Sequence, residues 1–167
     1  RSVAVADEAG PYMLQAAIAA CHARANTAEA TDWTRIAALY AAGCRYLQLD
    51  DTNLAYLCDP VMRQGAVERG DDPDELPRSY AELINAALAG RPDDLTVGIH
   101  LCRGNFRSTW FASGGYEPVA EVLFNELNVD AYFLEYDDER SGDFAPLRFV
   151  PAGKTVVLGL LTSKRPE

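Results

Sequence analysis

The sequence predicts an α/β fold built on a parallel sheet, and three of its features carry that expectation. From about residue 34, strand-like runs alternate with blocks of helical spacing, the order that βα units produce. The strand-like runs are almost continuously apolar, as when both faces of a sheet are covered. Their carboxyl ends hold the residues with chemistry, Asp50-Asp51, His100-x-Cys102 and Glu135. In parallel α/β proteins functional side chains gather at that rim.

The elements follow in order. Residues 1–35 are Ala-rich and form an N-terminal segment with no assigned role, whereas 36–167 form the barrel-like domain. Residues 34–43 (TRIAALYAAG) read as a helix stopped by glycine, and 44–50 (CRYLQLD) as a strand with an acidic end. A second helix is predicted over 77–89, closed by Gly90, and a second strand over 95–102. Residues 116–127 (YEPVAEVLFNEL) have apolar side chains at helical spacing. Strands are predicted at 129–135 (VDAYFLE) and 155–161 (TVVLGLL), with at most a short helical turn at 146–149 between them.

Four strands fall short of a (β/α)8 TIM barrel, which takes ~250 residues. The 167 residues are therefore expected to form about four parallel βα units, part of such a barrel and apparently truncated where a helix should follow the fourth strand. Open sheet edges of that kind invite homo-association.

Composition narrows the partners. A chain that is 49% hydrophobic and 24% charged fits a soluble globular domain. Its net charge of −10 argues against nucleic acid, whose phosphates need a basic surface. No apolar run approaches the ~20 residues that span a bilayer, and RSVAVADEAG lacks the basic-then-apolar order of a signal peptide. A cytoplasmic protein with no membrane partner is expected. The four cysteines, Cys21, Cys44, Cys58 and Cys102, are too irregularly spaced for a disulfide framework. Cys21 and Cys44 sit among alanines and read as small buried hydrophobes, Cys58 as a packing residue, and His22 has no role.

His100 and Cys102 are two apart on a strand, so both side chains can address one ion, and imidazole and thiolate are standard zinc donors. The alternative is a packed cysteine beside a hydrogen-bonded histidine. Glu135 ends an apolar strand with no basic neighbour on it, and an unpaired carboxylate there is costly unless it meets a cation. The alternative is a loop carboxylate in YDDER paired with Arg140. Of Asp50 and Asp51 only one can face the rim centre. Asp50 could hold a substrate ammonium, or Asp51 and Thr52 could cap a helix or loop. Gly114-Gly115 is either a phosphate loop or a flexible turn. Arg103, Arg107, Phe106, Trp110 and Phe111 could stack a flat heterocycle or anion, or pack over the rim.

Three blocks, CRYLQLDDTNLAYLCDP, TVGIHLCRGNFRSTWFASGGYEPVAEVLFNELNVDAYFLEYDDERSGDF and KTVVLGLLTSKRPE, resemble the cobalamin-independent methionine synthase family, closest to its shorter, single-barrel relatives. The resemblance covers about residues 36–167. It implies a (β/α)8 barrel with zinc held by His100, Cys102, Glu135 and a second cysteine from a later strand, beyond Glu167. Asp50 matches the aspartate that binds the amino group of homocysteine. No catalytic residue is implied apart from the metal ligands. The histidine implicated in proton delivery in the two-barrel enzymes has Thr162 as its nearest match here. The implied activity is transfer of a methyl group from 5-methyltetrahydrofolate, or its polyglutamate, to the homocysteine thiol, giving methionine. A zinc-dependent relative using another donor or thiol, and a non-catalytic barrel fragment, are the competing readings.

Overall fold

The computed structural model describes residues 35, 38, 43–104, 107 and 109–162. Of the helix predicted over 34–43, Arg35 and Ala38 are helical and most of the rest lies outside the described residues, as do Cys21 and His22. The chain divides into two compact units, residues 1–47 with 92–96, and residues 48–91 with 97–167. In the first, Cys44 is buried with its thiol donating to the Tyr46 carbonyl, and Arg45 pairs with Asp94. The second unit carries the candidate site.

The described elements run β1 (Tyr46–Asp51), α1 (Asn53–Tyr56), α2 (Pro60–Glu68), α3 (Leu76–Ala87), β2 (Thr96–Leu101), α4 (Glu117–Asn125), β3 (Ala131–Glu135), two 3-10 turns at Glu139–Ser141 and Ala145–Phe149, and β4 (Thr155–Gly159). The sheet order is β1-β2-β3-β4. β2 pairs with β3 in parallel, setting His100 against Phe133, and β3 pairs with β4 in parallel, setting Glu135 against Gly159. This parallel sheet with helices between its strands is a partial (β/α) barrel, short of the eight strands of the complete fold.

The two central strands show why the sheet forms. Along β2, Val97, Ile99 and Leu101 are wholly buried on one face, while His100 and Cys102 stand on the other. Along β3, Tyr132 and Leu134 are buried on the corresponding face, and Phe133 and Glu135 share the face of His100. Period-two alternation thus separates core from site. The helix α4 supplies Val119, Ala120, Leu123 and Phe124 to the core. Phe124 meets Tyr132 edge to face at 5.0 Å between ring centroids. Burying each such large side chain is worth roughly 1.5–3 kcal/mol.

Three local features differ from the sequence expectation. The helix α2 was not anticipated because its only buried residue is Ala66, so it has almost no apolar stripe. Its start is set by chemistry instead. Pro60 opens the helix, and Asp59 accepts hydrogen bonds from the Val61 and Met62 amides at 2.8 and 3.2 Å. α3 ends at Ala87, with Gly90 at φ +78° beyond it. β4 stops at Gly159, leaving Leu160 and Leu161 exposed. β4 also alternates between exposed and half-buried, because among the described residues it is an edge of the sheet. No helix among the described residues is long and apolar enough to cross a membrane.

Candidate metal centre

The carboxyl ends of β1, β2 and β3 place Asp50, His100, Cys102 and Glu135 together. The Cys102 amide donates to the Asp51 carbonyl at 2.7 Å, which carries the β1–β2 pairing one residue past β2 and fixes the cysteine at the rim. His100 Nδ1 lies 2.7 Å from Asp50 Oδ1, and His100 Nε2 lies 3.4 Å from Glu135 Oε1. The imidazole is therefore bracketed by two carboxylates, one on each nitrogen. The Glu135 hydrogen bond above all, and Asp50 after it, raise the His100 pKa, with burial working in the opposite direction.

Asp50, His100 and Cys102 each offer a donor atom within 4.8 Å of the other two. That set suits a metal ion in chemistry as well as spacing, since it combines carboxylate, imidazole and thiol at a half-exposed rim. Glu135 approaches the same imidazole from the Nε2 side. Glu135 thus lies outside the three-residue donor set, on the ring nitrogen opposite Asp50.

Of the two sequence alternatives for Glu135, the pairing with Arg140 is present. Its Oε2 lies 3.1 Å from Arg140 Nη2, while its Oε1 faces His100 and accepts from the Arg103 amide at 3.3 Å. Its backbone is pinned by the Tyr116 hydroxyl, which accepts from the Glu135 amide at 2.9 Å and donates to the Glu135 carbonyl at 3.2 Å. Tyr116 immediately precedes α4, and its spacing carried no sequence signal for this task. Arg140 also meets Asp137 at 2.6 Å and lies over the Trp110 ring. Burial works against ionising Asp137, yet Thr162 and Arg140 together hold its carboxyl below the usual range. Thr162 is thus engaged with Asp137.

The other candidates are structural. Asp51 accepts from the Leu54 amide at 2.8 Å and so begins α1, the capping alternative for this pair. Cys58 is buried against the Leu54 carbonyl, and desolvation pushes its thiol up to about 12. It stays protonated at neutral pH and is a packing residue. Gly114-Gly115 makes close backbone approaches: a Cβ on Gly114 would lie 2.0 Å from the Cys58 carbonyl oxygen, and one on Gly115 would lie 3.5 Å from Gly142 Cα. Arg103 is fully buried with its guanidinium 4.4 Å from the Tyr116 ring centroid, continuing the buried face of β2. Trp110 lies under Arg140, and Phe111 rests against Tyr56.

No protein-family model matches the chain. Two uncharacterized proteins of Bacillus subtilis strain 168 are similar to it. YxjH is 56% identical over 133 residues, covering 79% of this chain and 35% of that protein. YxjG is 56% identical over 132 residues, covering 77% and 34% respectively. A crystal structure from Listeria monocytogenes, described as that of a candidate vitamin-B12-independent methionine synthase, superposes with a TM-score of 0.58 at 40% identity. It covers 94% of this chain and 37% of its own. The chain spans about a third of the length of these relatives. It is homologous to part of that methionine-synthase-like barrel.

Proposed function

We propose, with homology to a methionine-synthase-like barrel as the premise, that residues 36–167 belong to a zinc-dependent methyltransferase barrel. In this reading the methyl group of 5-methyltetrahydrofolate, or its polyglutamate, passes to the thiol of homocysteine and gives methionine. The observation that carries the proposal is the convergence of the His100 imidazole and Cys102 thiol, with the Asp50 carboxylate, at the carboxyl rim of a parallel sheet, Glu135 standing on the other ring nitrogen. His100, Cys102 and Glu135 are the proposed ligands, with a further cysteine from a later strand of the full-length protein. When bound, zinc supplies a Lewis acid that keeps a substrate thiol as its nucleophilic thiolate near neutral pH.

The protein's own residues divide the remaining work. Cys102 and His100 stand on one face of the strand and approach from one direction. Asp50 meets the imidazole at Nδ1, and its exposed carboxylate is the group proposed to receive the ammonium of an amino-acid thiol. Such a charge-assisted contact is worth roughly 1.5–3 kcal/mol. Tyr116 fixes the backbone of Glu135, so the carboxylate is delivered from a rigid strand end. The proton that the departing folate nitrogen requires is not assigned to Thr162, whose hydroxyl serves Asp137.

Zinc titration of the chain, followed by a thiol-dependent methyl-folate demethylation assay on a protein of the relatives' full length, tests the proposal. Zinc binding lost in His100→Ala and Cys102→Ala, together with homocysteine-dependent turnover, is the expected result. Zinc binding with turnover on a different thiol or methyl donor would favour a related thiol alkyltransferase. A full-length protein without zinc affinity would leave a non-catalytic barrel. The absence of nucleic-acid and membrane partners and a cytoplasmic location belong to the same proposal.

A further inference from the structure

We propose that Arg140 is a positioning residue that sets the metal preference of the candidate centre, an inference that rests on the metal reading above. The Arg140 side chain is 5% exposed and meets three carboxylates. Its Nη2 lies 3.1 Å from Glu135 Oε2 and 2.6 Å from Asp137 Oδ1, and its Nε lies 3.2 Å from Asp138 Oδ1. The guanidinium is also 4.8 Å from the Trp110 ring centroid. The backbone is held from both sides: the Arg140 amide donates to Asp138 Oδ1 at 3.0 Å, and its carbonyl accepts from the Gly114 amide at 2.7 Å. A guanidinium fixed in this way is a rigid fork.

Two consequences follow for an ion at His100. A carboxylate can bind through one oxygen or both, and two-oxygen binding suits larger ions with six to eight oxygen ligands, whereas zinc prefers four donors in a tetrahedron. With Oε2 held by Arg140, Glu135 presents Oε1, the oxygen that faces His100 Nε2. Arg140 also places a permanent positive charge among Glu135, Asp137 and Asp138, an oxygen-rich group that would otherwise attract hard cations such as manganese. Both effects favour a four-coordinate ion with nitrogen, sulfur and a single Glu135 oxygen over one bound mainly by oxygens.

The test compares a protein of the relatives' full length, unsubstituted, with its Arg140→Met and Arg140→Lys forms, using zinc, manganese and cobalt separately as probes. Circular dichroism establishes that each variant is folded. Arg140→Lys keeps the charge but cannot reproduce the fork, so it decides the matter if Arg140→Met does not fold. Outer-shell partners of metal ligands typically change affinity by about 10–100-fold. The zinc-to-manganese affinity ratio should therefore fall at least about tenfold in the variants. The visible absorption of the cobalt form should weaken as its coordination number rises. An unchanged ratio and an unchanged cobalt spectrum in a folded variant would overturn this inference alone. No zinc binding by an unsubstituted protein of the relatives' full length would overturn it together with the metal reading.

Discussion

His100 has carboxylates on both ring nitrogens, so the ligand assignment turns on which carboxylate shares an ion with it. If Glu135 is the ligand and Asp50 the orienting and substrate-binding group, Glu135→Gln should weaken zinc binding as severely as His100→Ala. Asp50→Asn should then retain most zinc affinity while losing about 10–100-fold in affinity for an amino-acid thiol. Isothermal titration with zinc and then with homocysteine separates the two, and the opposite ranking would move Asp50 into the ligand set. Cysteine chemistry gives a second check. Cys102 should be protected from alkylation by zinc and labelled after chelation, whereas Cys58, buried and with its thiol at about 12, should resist labelling in either state. Mass spectrometry of labelled peptides reads both. These residues were legible because strand periodicity and donor chemistry coincide at 100 and 102. Tyr116 and Asp137 were not, because their roles depend on which segments the fold brings beside Glu135 rather than on any spacing along the chain.

At the scale of elements, the parallel βα order was legible from apolar runs and stop signals, and β2, β3 and α4 fall within a few residues of expectation. α2 was hidden because a helix with one buried residue leaves no apolar period to read. The Asp59-Pro60 pair that starts it also fastens it to the loop before α4, since Asp59 Oδ2 accepts from the Ser113 amide at 2.8 Å. Burial opposes ionisation of Asp59, but the amides of Ser113, Met62 and Val61 outweigh it and lower its pKa. The stability it adds is therefore fully present above the unfolded carboxylate value of ~3.9 and is lost as pH falls through the lower folded value. Asp59→Ala should cost at least the ~0.5–2 kcal/mol of a helix cap and remove this part of the acid dependence, as measured by urea unfolding at pH 7 and pH 3. The neighbouring glycine is equally demanding. Gly114 has φ +128° and no room for a methyl beside the Cys58 carbonyl, whereas Gly90, at φ +78°, has nothing within 4 Å. Gly114→Ala should thus lower the melting temperature clearly more than Gly90→Ala, where backbone strain of about 1–3 kcal/mol acts alone.

Across the whole molecule, the four-stranded sheet of the described residues has β1 and β4 at its two edges. β2 and β3 are packed on both sides by other strands, but among the described residues β4 pairs with β3 alone. The apolar run after residue 155 was legible as a strand and the shortfall from eight strands implied open edges, whereas which side chains stand exposed was not legible, because burial depends on what lies beside a strand and not on its own composition. Val157 is 42% exposed there, and Leu160 and Leu161 are exposed just beyond. An edge strand with unpaired backbone groups and apolar side chains is a template for another strand. The 167-residue chain is therefore expected to self-associate through β4, and a lysine at an exposed edge position should oppose this by forcing a charge into the new pairing. Sedimentation analysis of the chain and of Val157→Lys over a range of protein concentrations checks the expectation. A mass that rises with concentration in the first and stays monomeric in the second supports association at this edge. Equal association in both would place the contact elsewhere, and a monomer at all concentrations would mean that β4 is already protected.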